Sequence, residues 1–187
     1  MTYSRKQLDQ LEKLLAKENY KMLSDISGDV GVSIFSYDPK DEMLVRSKIA
    51  QFERLSTEIH AYDLFEVIIH VLKEEGLLKK VFEKEESEGS QNLYEAIKPI
   101  ISNDAIQNYL CPKLKESKIN LLHGIGKAWP LLRSHSVLSK LHTCLQNSIL
   151  ILFFPGEWNK FELRLFSKLE DDNYYRGVNL NELLNTS

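Results

Sequence analysis

The sequence predicts an α/β fold: a mainly parallel central sheet of about five strands flanked by helices. The three layers are Rossmann-like or degenerate P-loop-like, with a helical insert between strands two and three. Three observations carry this expectation. Short β-branched and aromatic runs alternate with stretches whose apolar residues recur at helical spacing, the order of βαβ units. Residues 149–154, Ile-Leu-Ile-Leu-Phe-Phe, are apolar without alternation, as in a strand covered on both faces. A chain of 187 residues with 43% hydrophobic, 27% charged, 8 Gly and 5 Pro has the composition of a single domain over 1–187, not of a disordered, collagenous or coiled-coil chain.

Each element follows from a local signal. Leu8, Leu11, Leu14 and Leu15 fall at three-and-four spacing within 4–19, a helix with one buried stripe. Gly28, Asp29 and Gly31 interrupt that pattern, and Val32, Ile34, Phe35 and Tyr37 form a strand that stops at Asp38-Pro39. Met43, Leu44, Ile49, Phe52 and Leu55 continue as a helix, with Asp41 and Glu42 in its first turn where the helix dipole favours acids. A second strand is expected at 59–64. Residues 65–118 form the helical insert, with a charged turn at 84–90, a break at Pro99, and Pro112 within or between its last helices. Ile119, Leu121 and Leu122 begin a third strand ending at His123-Gly124-Ile125-Gly126. A helix around 137–145 leads to the buried strand at 149–154, which ends at Pro155-Gly156; a fifth strand is expected at 174–180 and a short closing helix or turn at 181–184.

Charge and cysteine content narrow the function classes. With 24 Lys and Arg against 27 Asp and Glu the formal charge is −3, so there is no chain-wide attraction for nucleic acid or acidic membrane. Cys111 and Cys144 are two thiols in a chain large enough to bury its own core, and both are expected to be reduced. Residues 1–13 carry no secretory signal, and the longest apolar run, 149–154, is far below the roughly 20 residues of a bilayer helix. The expected compartment is the cytoplasm.

In an open parallel sheet, ligands and partners gather at the carboxyl ends of the strands. Asp38 and Asp63 follow the first two strands; His123, Gly124, Gly126 and Lys127 the third; Pro155, Gly156 and Glu157 the fourth. Gly124-Ile125-Gly126-Lys127 suggests a phosphate loop, but a P-loop needs glycine at 121 and a hydroxyl at 128, where this chain has Leu121 and Ala128. The glycines then serve to turn the chain tightly off the sheet. His123, His135 and His142 lack zinc spacing, Cys144 stands two residues from His142 and so on another helix face, and neither Ser134 nor Ser136 is framed as a nucleophile elbow. The expectation is no catalytic residue, no metal and no cofactor. Residues 170–176, Glu-Asp-Asp-Asn-Tyr-Tyr-Arg, have the mixture of a binding surface or of a solvated loop. In 113–140 Glu116 is the only acid among several lysines and Arg133, a modest positive stretch without an RNA- or DNA-binding signature.

Several motifs together resemble one family. Gly124-Ile125-Gly126-Lys127, Trp129-Pro130-Leu131-Leu132-Arg133-Ser134-His135, Phe153-Phe154-Pro155-Gly156-Glu157, Leu163-Arg164-Leu165-Phe166 and Asp171-Asp172-Asn173-Tyr174-Tyr175-Arg176 are similar, in order and spacing, to the BrxB family of bacteriophage-exclusion (BREX) defence systems. Two positions depart from the family pattern, Ser136 in place of asparagine and His123 in place of the more usual threonine. The resemblance implies a small cytoplasmic component with no catalytic activity of its own. It would act with a PglZ-like protein of the alkaline-phosphatase superfamily, a DNA methyltransferase and a large ATPase. The expected role is a non-enzymatic interaction and assembly module docking onto the PglZ-like component. Partner-binding candidates are Trp129, Arg133, Trp158, Asp171, Asp172, Tyr174, Tyr175 and Arg176. The alternative is a degenerate nucleotide- or phosphate-binding regulatory domain without hydrolysis, holding an anion with Gly124, Gly126, Lys127, Arg133 and His135. Direct DNA binding through 113–140 ranks last.

Overall fold

The β-branched and aromatic runs meet as a five-stranded parallel sheet in a computed structural model, which describes residues 3–16, 23, 31–158, 162–171 and 177–186. The strands are β1 (Val32–Tyr37), β2 (Ile59–Asp63), β3 (Ile119–His123), β4 (Ile149–Trp158) and β7 (Val178–Asn179), in the order β2-β3-β4-β1-β7. Two further strands, β5 (Leu163–Leu165) and β6 (Leu169–Asp171), form an antiparallel extension on β4.

The absence of alternation in β4 is explained by its central place. Ile149, Ile151 and Phe153 enter one core with α1 (Tyr3–Ala16), α2 (Glu42–Phe52) and α8 (Leu180–Thr186). Leu150, Leu152 and Phe154 enter the opposite core. That second layer holds α3 (Leu64–Glu74), α4 (Leu78–Ile97), α5 (Asn103–Leu114), α6 (Ile125–Ala128) and α7 (Ser134–Leu141). Each side chain so buried contributes roughly 1.5–3 kcal/mol, so the strand that reads as wholly apolar is the one both layers depend on. On the first face the α1 stripe of Leu8, Leu11 and Leu15 is fully buried, and the Lys48 ammonium of α2 bridges Asp9 and Glu12 of α1 at 2.7 and 2.6 Å. Short β7 is extended by a side chain: Asn181 accepts from the Ser36 amide at 2.8 Å and donates to the Ser36 carbonyl at 2.9 Å.

The structure alters several expectations. The Pro155-Gly156 pair does not end β4. Tyr37 lies opposite Pro155, where the β1 ladder stops, and the strand continues through Trp158 by pairing with β5. A Cβ on Gly156 would run into the carbonyl oxygen of Arg164, so glycine is what lets β5 approach. The charged stretch at 84–90 is helical through Glu88, supported by Lys79–Glu83 and Lys84–Glu88 pairs one helical turn apart, and the expected turn is confined to Gly89 (φ 81°, ψ 166°), where the two helical segments of α4 meet at a kink. Pro112 sits inside α5, close enough to its end that the helix survives. The fifth strand covers Val178–Asn179 alone and runs parallel to β1, with Leu180 already starting α8. The rest of its predicted span, through 176, lies outside the described residues.

The cysteine expectation is overturned: Cys111 and Cys144 are joined in a disulfide with Cα atoms 5.5 Å apart. Packing of α5 on α7 and on the 3-10 turn that follows it (His142–Cys144) brings them together, reinforced by the Lys140–Asp104 ion pair at 2.8 Å and by the Gln107 amide donating to Thr143 Oγ1 at 3.2 Å. A bridge across 33 residues of chain stabilises by about 3–4 kcal/mol in the chain-entropy picture. Alkylation of denatured, unreduced protein is therefore expected to label no thiol, and a Cys111→Ser/Cys144→Ser variant to unfold at lower denaturant. Two labelled thiols and an unchanged midpoint would return both cysteines to the reduced state.

Candidate functional site

At the carboxyl edge of the sheet, local chain geometry decides what each polar group can do. Asp38 and Asp63 both act as helix N-caps. Asp38 accepts from the Lys40 amide at 3.0 Å, and Asp63 Oδ1 accepts from the Phe65 amide at 3.0 Å at the start of α3. The second Asp63 oxygen receives the Lys127 ammonium from α6. Gly124 makes this possible. It holds φ 78°, and a Cβ there would overlap the Asp63 carboxylate. Gly126 serves a second close approach, because a Cβ would stand 2.8 Å from the Phe166 ring. Both glycines bring neighbouring groups against α6, which spans only four residues.

The titration of this cluster follows from its surroundings. Burial is the largest influence on Asp63 and pushes its pKa up. The hydrogen bond from Lys127, the positive charges of Lys127 and protonated His123, and the Phe65 amide together outweigh it, so the carboxyl is held below its ordinary range. His123 is pushed below the ordinary histidine value of 6.5, first by burial, with Lys127 and Arg46 acting in the same sense against Asp63 and Glu42. Its Nδ1 stands 3.6 Å from Asp63 Oδ2, without a hydrogen-bond partner. At neutral pH it is uncharged, so Lys127 is the cation that neutralises Asp63. Alongside, Tyr37 donates to Glu42 Oε2 at 2.5 Å, and burial raises its phenol well above the ordinary value.

Two clefts open beside this cluster. The chain after β1 enters α2 on one face, whereas the chain after β3 and β4 packs on the other, so the β1–β4 crevice is a topological switch point. A cleft of about 710 Å³ lies there, bounded by Asp38, Lys40, Glu157 and the β5–β6 turn. That turn holds Phe166 and Ser167 both at φ 57°, fixed by the Phe166 amide donating to the Pro155 carbonyl at 2.8 Å. A second cleft of about 380 Å³ lies between α6–α7 and the hairpin, with Trp129, Arg133, Leu165, Lys168 and Leu169 among its walls.

The predicted residues distribute unevenly. Trp129 and Arg133 share the smaller cleft. Trp158 stands at the end of β4, half-buried against the core, its indole N–H without a partner. Asp171 ends β6, its side chain outside the described set, as are Asp172, Tyr174, Tyr175 and Arg176. The anion-site set is not gathered around one point. Gly124 caps α6 and Gly126 and Lys127 lie on it, with Lys127 on Asp63, Arg133 lines the cleft that Lys127 does not, and His135 Nε2 lies 2.9 Å from Ser136 Oγ. The basic stretch is dispersed as well: Lys118 pairs with Glu58, Lys127 with Asp63 and Lys140 with Asp104, while Lys113 lies over the Tyr109 ring. Among the described residues no three His, Cys, Asp or Glu side chains come together to hold a metal, and no helix is long and apolar enough to cross a membrane.

Sequence reasoning missed Lys168 and Leu169. The period-two pattern of Leu163-Arg164-Leu165 is the signal that marks the hairpin carrying them.

Comparison with known proteins bears on this edge directly. The family model described as BREX protein BrxB matches residues 60–180, which include every strand after β1 and both walls of the smaller cleft. A Bacillus cereus (strain H3081.97) protein named BREX protein BrxB is 36% identical over 182 residues, 92% of this chain and 95% of that protein. An Escherichia coli O9:H4 (strain HS) protein of the same name is 26% identical over 178 residues, 92% and 89% of the two chains. No solved structure matches.

Two outcomes follow from the Asp63 cluster. Because His123 titrates lower in the folded than in the unfolded chain, its contribution to stability is present above about pH 6.5 and is lost as pH falls toward the folded value; Asp63 adds a loss of the same sign below about pH 4. Urea unfolding from pH 7 to 5 is expected to show falling stability that His123→Gln flattens; an unaltered slope in the variant contradicts the assignment. Gly124→Ala is expected to cost about 2 kcal/mol or more through positive φ and the clash with Asp63, and a wild-type midpoint would refute that.

Proposed function

The chain belongs to the BrxB family of BREX phage-defence systems, and we propose that it serves there as an assembly component without a reaction of its own, docking in the cytoplasm onto the alkaline-phosphatase-like PglZ component. The carrying observation is how the carboxyl edge uses its polar groups. Lys127, the lysine of the glycine motif, is held by Asp63, and Asp63 and Asp38 are committed to helix caps. Catalysis needs a base or nucleophile aimed at open space; Lys127 and Asp63 are aimed at each other, and Asp38 is engaged by the Lys40 amide at the mouth of the larger cleft.

The same edge also leaves apolar side chains in water. Trp129 is 44% exposed and Leu169 37%, facing one cleft across an otherwise buried floor. Exposed tryptophan beside arginine is the composition of interface hot spots. The methyltransferase and the large ATPase are further candidate partners in the same system.

Co-purification tests the reading. Wild-type chain is expected to retain the phosphatase-like component at micromolar concentration. Trp129→Ala, at a position 44% exposed, should weaken retention roughly thirtyfold, the equivalent of about 2 kcal/mol, with the far-ultraviolet circular dichroism of the free chain unchanged. Separate elution of the wild-type proteins, or turnover of a substrate that Lys127→Ala abolishes, would overturn it.

A further inference from the structure

We propose that the cleft between α6–α7 and the β5–β6 hairpin is the receptor for one kind of partner segment: a short acidic peptide carrying an apolar anchor between its carboxylates. This rests on the docking reading above and adds which surface is used and what chemistry the partner presents.

The occupant is read from the walls. The floor is Ile125, Leu132, Leu163 and Leu165, each at most 6% exposed. Trp129 and Leu169 stand in solvent at its lip. The charged lining residues among those described are Arg133 and Lys168, with no acid among the described wall residues. Neither cation makes an ion pair or a side-chain hydrogen bond with a described residue, unlike Lys48, Lys118, Lys127 and Lys140, which are all paired. In a chain of net charge −3, a site with two unpaired cations is a local reversal of sign. Charge complementarity therefore calls for two carboxylates, and the arginine can bind one of them in a planar, bidentate manner.

The apolar floor selects against the other anionic occupants. Nucleic acid is held by arrays of phosphate contacts, and the neighbouring lysines that would extend such an array are neutralised by Glu58, Asp63 and Asp104. A small carboxylate would fit within about 380 Å³ but would leave the Trp129 and Leu169 lip in water. A peptide buries both, inserting an apolar side chain onto Ile125 and Leu165 while its acids meet Arg133 and Lys168. Acids on the peptide are complementary to the cationic cleft and are repelled by the acidic remainder of the surface, which fixes where the peptide docks.

A combinatorial twelve-residue peptide library selected on the full chain tests this without any named partner. Enriched peptides are expected to place acids on both sides of an aromatic or aliphatic residue. Arg133→Glu and Lys168→Glu should each weaken them roughly tenfold, and Trp129→Ala should do so at any salt concentration. Arg133 and Lys168 are exposed, so far-ultraviolet circular dichroism should be unchanged in the charge variants. Enriched peptides without acidic bias, or equal affinity for wild type and Arg133→Glu/Lys168→Glu, would overturn the proposal. So would much tighter binding to Glu170→Gln/Asp171→Asn/Asp172→Asn, which would assign the cleft to the acidic run of this chain itself. A wild-type chain that selects acidic peptides yet elutes apart from the phosphatase-like protein would sink the docking reading and leave this one standing.

Discussion

The burial of β4 on both faces is the constraint on which the other elements depend. Its six leading residues fill both cores, pairing with β1 on one side and β3 on the other. The strand then outruns its parallel neighbours and carries an antiparallel hairpin at its carboxyl end. An apolar strand in the middle of a sheet cannot slip by one residue without exchanging two well-packed cores, so its register is fixed strongly. That fixed end is a rigid mount for Phe166, Lys168 and Leu169, which would otherwise be loop residues with no defined position.

The hairpin in turn decides what the glycine motif can do. Phe166 occupies the space over Gly126, and Asp63 occupies the space over Gly124. With both filled, α6 offers no open cradle, and its lysine is turned into a tie between β2 and β3. The proposed role in recognition draws on what this edge offers instead: an apolar floor, a tryptophan and a leucine at the lip, and two cations without an ion-pair partner among the described residues.

Much of the fold could be read from periodicity, because β1 to β4 and the helical insert are set by local patterns that burial then confirms. Pairings between distant segments could not. Cys111 and Cys144 carry no local mark of the α5–α7 packing that joins them, and Lys127 lies 64 residues from the carboxylate that holds it. Pro155-Gly156 reads as a chain reversal because that is the usual role of such a pair, yet here glycine admits the Arg164 backbone alongside a continuing strand. Trp129 and Arg133 could be named as anchor candidates from residue type, whereas Lys168 and Leu169, the opposite wall of the same cleft, became visible only when the hairpin folded back.

Hydrogen–deuterium exchange on the full chain, alone and with the phosphatase-like component, tests the central claim that the hairpin edge is the recognition surface. Slowed exchange is predicted on complex formation in residues 125–134 and 163–169, with the α1, α2 and α8 layer unchanged. Protection confined to that opposite layer or to α4, with the hairpin exchanging at its free rate, would contradict it.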